Sequence, residues 1–310
     1  MLFIIIMLNI VFFIITKLNM LKILILGSSG LLGNNIYREI KKNKKISLFH
    51  TGLTKRKFNL TNKIELQNLI LSIKPDLIIN TIGLTDIEIC EKKNKISKEI
   101  NYGIIQKMFD LKKKKKLNFK LIHISTDQLY NLNKNIKNSE KSKIFLANNY
   151  CKHKRAAEII CLKNKALIFR TNFFGKSFTK SKSFTDWVFN KFKNNKKFYL
   201  FNDVYFNPLR IKSLVKIIST IINKRLYINY GLYNLGSKDA IYKNQFAILF
   251  AKKVGIYKKN YSNINVNKLL KVKRSTNMFM DVNKFEKIFN LDLPSIKSEI
   301  INEAKEYIKS

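Results

Sequence analysis

Residues 21–33 read LKILILGSSGLLG, an apolar run that breaks into three evenly spaced glycines and then resumes as a helix-like segment. A buried parallel strand is continuously apolar, as residues 23–26 are, and a dinucleotide-binding fold needs small residues in the turn after its first strand. Gly27 would permit the tight turn, Gly30 the close approach of a pyrophosphate, and Gly33 the packing of the next helix on the strand. A strand-to-helix turn that uses glycine for geometry alone is the alternative.

The turn and the start of the following helix form one predicted contact surface for a dinucleotide. The first N–H groups of a helix have no partner inside it, and the positive end of its dipole favours phosphate. We therefore expect these residues to bind the cofactor: Gly27, Ser28, Ser29, Gly30, Leu31, Leu32 and Gly33.

Length and composition set the class of protein. A chain of 310 residues with 46% hydrophobic content can bury a full core, and it suits one large α/β domain with a smaller companion. The formal net charge of +40 would attract polyanions, so nucleic acid is the partner that charge alone suggests. The lysines are spread along the chain, however, and even the densest run, residues 112–116, follows a predicted helix, where cations favour the C-terminal dipole. We predict no nucleic-acid partner.

The cysteines indicate neither disulfides nor a metal. Cys90, Cys151 and Cys161 are odd in number and form no C-x-x-C pair, so no disulfide framework or zinc site is predicted. A reducing cytoplasm fits this pattern.

The N-terminal extension, residues 1–19, is the segment that could change this location. Residues 1–16 are almost wholly apolar, yet a spanning helix needs about 20 such residues, and neither a basic n-region nor a small-residue cleavage site is present. We expect translation to begin at Met20, because Met20-Leu21-Lys22 leads directly into the first strand. A membrane-surface anchor formed by residues 1–19 is the alternative, and otherwise no membrane partner is expected.

Apolar strands and helical segments alternate through the first half of the chain. Strands are predicted at 46–50, 76–80, 121–125 and 166–170, with helices at 64–73, at 99–111 and from residue 150 onward. Right-handed crossovers then give a Rossmann-type, doubly wound parallel sheet of the α/β class. We predict an NAD(P)-binding domain over residues 20–172 and a smaller, interleaved substrate-binding portion over residues 173–310, some of whose segments return to the sheet.

Two strand ends should contact the cofactor. The third strand ends in Asn80-Thr81-Ile82-Gly83 at the carboxyl edge of the sheet, where ligands bind in open α/β folds, so Asn80, Thr81 and Gly83 are predicted contacts. The second strand ends at His50 without an acid and is followed by Lys55-Arg56-Lys57. A carboxylate there would bind the ribose of NAD, whereas basic groups accommodate the 2′-phosphate of NADP, so NADPH is favoured and NADH remains open.

A tyrosine and a lysine on one helical face supply acid–base chemistry. Tyr150 and Lys154 are four residues apart, and they follow a strand that ends in Ser125-Thr126-Asp127. A phenol with an ordinary pKa near 10 is a poor acid or base at neutral pH, and a neighbouring ammonium favours its ionised form. We predict that Lys154 lowers the pKa of Tyr150.

Together these motifs resemble the extended short-chain dehydrogenase/reductase superfamily and, within it, the dTDP-4-dehydrorhamnose reductase family. The resemblance runs from residue 20 nearly to the C-terminus. It is carried by the three glycines, NTIG at 80–83, HISTDQLY at 123–130, the Tyr150/Lys154 pair, FRT at 169–171 and RSTNMFMD at 274–281.

The resemblance implies a role for each matching residue. Tyr150 would protonate the keto oxygen of the substrate as NAD(P)H delivers hydride to the carbonyl carbon. Lys154 would hold the nicotinamide ribose, and Thr126 would hydrogen-bond the reacting oxygen. Asp127 would lie against the sugar, and Arg274 would also bind the substrate.

The chain also departs from the family pattern. Phe206 and Leu209 stand where the family has a glycine and a threonine that shape the sugar-nucleotide pocket, so the sugar or base accommodated would differ. Asn59 replaces an acid that commonly meets the adenine. We interpret His123 as a core residue of its strand that points away from the site, because side chains alternate along a strand.

The predicted function is therefore NAD(P)H-dependent reduction of the 4-keto group of a nucleotide-activated 6-deoxy sugar, supplying polysaccharide precursors in the cytoplasm. A homodimer is an accompanying expectation. A nucleotide-sugar epimerase or dehydratase with tightly held cofactor is one alternative, and a non-catalytic sugar-nucleotide-binding subunit is another. An intact Thr126, Tyr150 and Lys154 set argues against the second, since a structural role has no use for it.

Overall fold

The structure is a computed structural model, and it describes residues 20–52, 58–131, 133, 136–178, 182–194 and 196–309. The apolar extension at 1–19 and the basic segment Lys55-Arg56-Lys57 lie outside the described residues. In the part of the chain that is described, no helix is both long and apolar enough to cross a membrane.

Most strands of the described residues are short and apolar, and the longer ones build one central sheet. They are β1 (Leu21–Leu26), β2 (Ile46–His50), β3 (Leu77–Asn80), β4 (Lys120–Thr126), β5 (Leu167–Thr171), β6 (Phe173–Phe174), β7 (Phe198–Phe201), β8 (Tyr205–Phe206), β9 (Leu209–Arg210), β10 (Gly231–Leu235), β11 (Ile241–Tyr242), β12 (Tyr261–Ile264) and β13 (Asn277–Met278).

The helices flank this sheet and form the second half of the molecule. They are α1 (Leu31–Ile40), α2 (Lys63–Ile73), α3 (Ile87–Lys92), α4 (Asn94–Lys98), a π-helical turn (Glu99–Gly103), α5 (Ile104–Lys114), α6 (Asn149–Lys163), α7 (Phe184–Lys193), α8 (Ile211–Asn223), α9 (Lys243–Val254), α10 (Val266–Leu269), α11 (Asn283–Phe289) and α12 (Ile296–Ile308). Single 3₁₀ turns lie at Asp127–Leu129 and Leu226–Ile228.

The central sheet has six parallel strands in the order β10-β5-β4-β3-β1-β2. The chain winds outward from β1 in both directions, so the order reverses between β1 and β3. In open α/β sheets the crevice outside the carboxyl ends of the strands at such a switch point is where ligands bind. The predicted doubly wound α/β fold is confirmed, and the glycine turn after β1 lies at its switch point.

Alternation along β1 divides the core into two layers. Ile23 and Ile25 pack with α1, α8 and α11, whereas Leu24 and Leu26 pack with α2, α5 and α6 on the opposite face. A third apolar cluster, rich in phenylalanine and tyrosine, joins α7, α9 and α12 outside the sheet. The helices on both faces hold the strand ends that form the site.

Local sequence signals explain where several elements begin and end. The Asn62 side chain accepts hydrogen bonds from the N–H groups of Ile64 and Glu65 and so starts α2, which was predicted at 64–73 and occupies 63–73. The helix predicted at 99–111 differs, because its first residues form the π-helical turn before α5. That turn directs Asn101 inward, where its side chain binds the backbone N–H and C=O of Leu84.

A buried ion pair fastens α6 to the sheet. Arg170 of β5 donates from Nε and Nη2 to the two carboxylate oxygens of Glu158, at 2.8 and 2.7 Å. Ser125 Oγ donates to the same carboxylate at 2.7 Å, and Arg170 Nη1 donates to Tyr130 Oη at 2.7 Å. The Tyr130 hydroxyl then donates to Asn234 of β10. The network joins the three strands β4, β5 and β10 to the helix that begins at the site.

Candidate active site

The glycine turn has the geometry of a phosphate cradle. Gly27 has φ +87°, and a Cβ there would lie 2.9 Å from Thr81 Oγ1. A Cβ on Gly33 would lie 2.3 Å from Gly27 O, so α1 can approach the turn this closely only with glycine at that position. Gly30 is the N-cap of α1, and no side chain caps the helix there. The first N–H groups of α1 are therefore left for a ligand, which fits a dinucleotide phosphate.

Two cavities meet at this turn. One, of about 450 Å³, is lined by residues of the turn and by Thr126, Tyr150 and Lys154. The other, of about 600 Å³, extends past β2. Both are lined by Gly30, Thr81, Ile82 and Gly83. The first therefore has the size and chemistry for the reacting end of a cofactor and a substrate, and the second for the far end of a dinucleotide.

Most predicted cofactor contacts line these cavities. Leu31, Leu32 and Gly33 line the first, and Gly27 and Ser29 line the second.

Ser28 and Asn80, which were also predicted to bind the cofactor, line neither cavity. Both the backbone N–H and the hydroxyl of Ser28 donate to Thr51 O, so this buried residue holds the turn against the end of β2. Asn80 is also buried, and its side chain binds Ile82 and His123 instead of facing either cavity. The sequence could not distinguish these supporting residues from contact residues, because both kinds stand at the same strand ends.

The three predicted catalytic side chains come together on one wall of the first cavity. Thr126 ends β4, while Tyr150 and Lys154 lie on the first turns of α6. Burial raises the pKa of Tyr150, and a hydrogen bond with Thr126 partly offsets that shift. The phenol is therefore protonated at neutral pH and can donate its proton to an oxygen placed beside Thr126.

The predicted effect of Lys154 on Tyr150 is not what the structure shows. Lys154 Nζ donates to Ile124 O at 2.6 Å and lies 3.4 Å from His123 Nε2. The lysine amine is thus bonded to β4, and burial dominates the pKa of Tyr150. Burial also lowers the pKa of Lys154 to about 8, although Glu158 acts in the opposite direction.

His123 is buried in the core of β4, as predicted. Its ring also contacts Lys154, a contact that the sequence did not predict, and so it supports the site. Residues 121, 123 and 125 share the face of β4 that α6 covers, and Lys154 reaches the site from that same face.

The two predicted substrate residues also line the first cavity. Asp127 is buried, and burial raises its pKa to about 6, although the Asn172 side chain, which donates to it at 2.8 Å, and the charge of Lys243 act to lower it. Arg274 lines the first cavity, where its Nη2 donates to Glu88 at 2.9 Å. Its Nε is buried and, among the described residues, has no hydrogen-bond partner. Such a donor suits an anionic ligand.

Sequence reasoning missed several polar groups of the same cavity. Asn172 and Lys182 line it, and so does Gln128, whose Oε1 is buried and has no hydrogen-bond partner in the described part of the chain. Gln128 directly follows Asp127, which was the one local signal available for it. Asn172 directly follows β5 at the carboxyl edge of the sheet, whereas Lys182 precedes α7 and could be found only from the fold.

Phe206 and Leu209, which depart from the family pattern, do not lie where they were predicted to lie, on the wall of the sugar-nucleotide pocket. Phe206 is buried in the aromatic cluster against Phe184 and Phe246, and Leu209 is buried in the core beside the sheet. Neither residue lines the two cavities at the glycine turn. Asn59 directs its carboxamide oxygen to Thr61 and supports the segment before α2. The bulk at 206 and 209 therefore fills the core and leaves the walls of the cavity to other residues.

Among the described residues, no group of three or more His, Cys, Asp or Glu side chains is arranged to hold a metal ion. Cys90, Cys151 and Cys161 are buried and free.

Gly33→Ala tests the cradle. We expect it to destabilise the fold by about 1–3 kcal/mol, because the added Cβ overlaps backbone, and to weaken NADPH binding at least about tenfold. Gly30→Ala is the matched control, since its Cβ would meet only Gly27 O at 3.4 Å. That variant should unfold like the wild type and yet bind NADPH more weakly. Thermal unfolding and fluorescence titration measure both, and a Gly33→Ala protein with wild-type stability would refute the close packing.

Comparison with known proteins agrees with this geometry. A family model described as the RmlD substrate binding domain matches residues 21–308. A dTDP-4-dehydrorhamnose reductase from Aggregatibacter actinomycetemcomitans is 23% identical over 288 residues, which is 88% of this chain and 94% of that protein.

Solved structures show the same fold. A dTDP-4-dehydrorhamnose reductase from Clostridium acetobutylicum matches with a TM-score of 0.81 at 20% identity, over 92% of this chain and 99% of that one. The enzyme of that name from Bacillus anthracis, in complex with NADP, matches with a TM-score of 0.82 at 20% identity, over 93% and 99% of the two chains.

Proposed function

Because the chain belongs to the RmlD substrate binding domain family, we propose that it is an NADPH-dependent reductase of the 4-keto group of a nucleotide-activated 6-deoxy sugar. dTDP-4-dehydrorhamnose or a close relative is the substrate proposed. The observation that carries the proposal is that Thr126, Tyr150 and Lys154 share one cavity with the glycine turn. The shared cavity supports Tyr150 as the acid that acts on a substrate bound next to the cofactor.

Each catalytic side chain has a task in this reaction. NADPH, when bound, supplies the hydride. Thr126 hydrogen-bonds the keto oxygen and fixes its place, and Tyr150, protonated because it is buried, gives that oxygen its proton. Lys154 binds the nicotinamide ribose, to whose hydroxyl groups its amine can donate.

The cations around the first cavity favour a diphosphate-linked substrate. Arg274 and Lys182 line the cavity and come from segments outside the catalytic helix α6. The buried Arg274 Nε lacks a partner among the described side chains, and a phosphate oxygen would satisfy it. Asp127, held by Asn172, offers an acceptor for a sugar hydroxyl. The site thus matches both halves of a nucleotide sugar.

The preference for NADPH rests on the end of β2. His50, Thr51 and Gly52 present no carboxylate to a ribose, and Lys55, Arg56 and Lys57 follow two residues later. We propose NADPH as the preferred cofactor, with NADH as a poorer donor. An enzyme that consumes NADPH works where that cofactor is made, which supports a cytoplasmic reductase for polysaccharide precursors, and we propose a homodimer as its assembly.

Turnover with a panel of nucleotide-linked keto sugars tests the function. We expect nicotinamide absorbance to fall with NADPH and a 4-keto-6-deoxy sugar nucleotide, and to fall more slowly with NADH. Cofactor that stays bound through purification, with no net consumption, would instead favour an epimerase or dehydratase. Binding of substrate and cofactor without any conversion would identify a non-catalytic subunit and overturn the proposal.

A further inference from the structure

A chain of three buried side chains leads from β3 to the catalytic lysine. Asn80 and His123 are opposite one another on the paired strands β3 and β4. Asn80 Nδ2 lies 3.2 Å from His123 Nδ1, and His123 Nε2 lies 3.4 Å from Lys154 Nζ. All three side chains are at most 3% exposed, so water does not compete for these contacts.

The neighbouring hydrogen bonds determine which atoms of Asn80 and His123 donate and which accept. The backbone N–H of Ile82 donates to Asn80 Oδ1 at 3.1 Å, which leaves the Asn80 amide nitrogen, a donor, facing the ring. His123 Nδ1 must then be the acceptor. Burial, with the charge of Lys154, lowers the pKa of His123 well below its ordinary value, so the ring is neutral and carries one proton. That proton is on Nε2, the nitrogen that faces Lys154.

An Nε2–H facing Lys154 has a consequence for the lysine. An ammonium has three donors and no acceptor, so it cannot accept a hydrogen bond from the Nε2–H. The partial positive charge of that N–H and the charge of the ammonium repel each other. A neutral amine can accept the Nε2–H through its lone pair and still donate to Ile124 O, 2.6 Å away. The contact is therefore satisfied in the neutral form of the lysine and unsatisfied in the charged form.

We propose that His123, held by Asn80, is a positioning residue that acts through Lys154: its Nε2–H fixes the lysine nitrogen and favours the neutral amine. Its effect on turnover rests on the proposed function, whereas the hydrogen bond itself does not. Glu158, one turn further along α6, favours the charged form, and the thiol of Cys161 is neutral because burial raises its pKa. Tyr150, also on α6, is protonated and carries no charge. His123, on the side of the sheet, thus has the opposite effect on Lys154 from Glu158, because it favours the neutral amine.

The pH dependence follows from the sign of this effect. The pKa of Lys154 is lowered to about 8, so the lysine is charged below that pH and neutral above it. Since an ammonium donates more strongly to the nicotinamide ribose than a neutral amine does, kcat/KM for NADPH should fall as pH rises through about 8. A group that accepts from the ammonium in place of His123 should move this fall to higher pH.

Histidine NMR tests the hydrogen bond without substrate or cofactor. The protein has only three histidines, so ¹⁵N-histidine labelling resolves each ring. We expect the Nε2–H tautomer for His123, and a change in its ¹⁵N shifts near pH 8 that disappears in Lys154→Met. An Nδ1–H tautomer, or shifts that stay constant from about pH 7 to 9, would overturn the proposal.

His123→Gln tests the effect on the reaction. A glutamine oxygen can accept from the ammonium, so we expect the alkaline fall in kcat/KM to move up by about one pH unit. His153→Gln is the matched control, because His153 is also a buried ring, and its hydrogen bond is with Ser97 instead of the Lys154 amine. An unmoved fall in a folded His123→Gln protein would overturn the proposal. Absence of turnover in the wild type would refute the reductase alone, because the NMR result stands apart from it.

Discussion

Replacing Tyr150 with phenylalanine should lower kcat by about 10²–10⁴-fold and leave NADPH binding close to that of the wild type. The phenol lies against Thr126 on the cavity wall, where the keto oxygen must be protonated as hydride arrives. Phenylalanine fills the same buried volume and removes only the proton donor. Steady-state kinetics at saturating substrate, together with a fluorescence titration of NADPH, separates the chemical step from binding.

Tyr102→Phe is the matched control for this loss. Tyr102 lies in the π-helical turn, and its hydroxyl donates to Gln106 at 3.2 Å, outside the first cavity. Its removal should change kcat less than about twofold, because no reacting atom is within reach. If Tyr150→Phe turned over substrate as fast as Tyr102→Phe, another group would have to be the acid.

The first half of the fold could be predicted because its signals are local. The apolar residues of β1 and the three glycines after it fix a strand, a turn and a helix within thirteen residues. β2 occupies 46–50, as the sequence predicted. The position of Tyr150 and Lys154 on one helical face also follows from spacing alone. Local periodicity therefore predicts which residues can meet a dinucleotide at the edge of the sheet.

The contacts between elements could not be predicted in the same way. Alternation along β4 correctly places His123 on the face opposite Thr126, but it does not say that α6 covers that face and brings Lys154 to the ring. Asn172 reaches Asp127 across 45 residues of chain because β4 and β5 pair with Thr126 beside Thr171. Phe206 and Leu209 fill the core because the second half packs around them. These features depend on the pairing of strands and the docking of whole helices, which no local pattern encodes.

Removing the buried guanidinium of Arg170 should be the most destabilising change among those considered. Arg170→Gln leaves the carboxylate of Glu158, which is fully buried, without its two-point partner, and we expect a loss of about 3–5 kcal/mol in the free energy of unfolding. Arg155→Gln is the matched control: it removes a bond to the same carboxylate at 3.0 Å, but from a side chain that is 29% exposed. That loss should stay below about 1 kcal/mol. Urea unfolding at neutral pH measures both.

The pH dependence of the stability lost in Arg170→Gln tests independently whether the ion pair causes that loss. Burial alone would raise the pKa of Glu158, but the hydrogen bonds and charge of Arg170 outweigh it and hold the pKa below its ordinary value. The pair therefore stabilises the wild type above the ordinary glutamate pKa, and this contribution is lost as pH falls through the lowered pKa. Without Arg170, burial still raises the pKa of Glu158. The Arg170→Gln protein should therefore become more stable as the carboxylate is protonated at low pH. The difference between the two proteins should consequently shrink on acidification, and a difference that stayed constant with pH would mean that Arg170 stabilises α6 by packing and not by its charge.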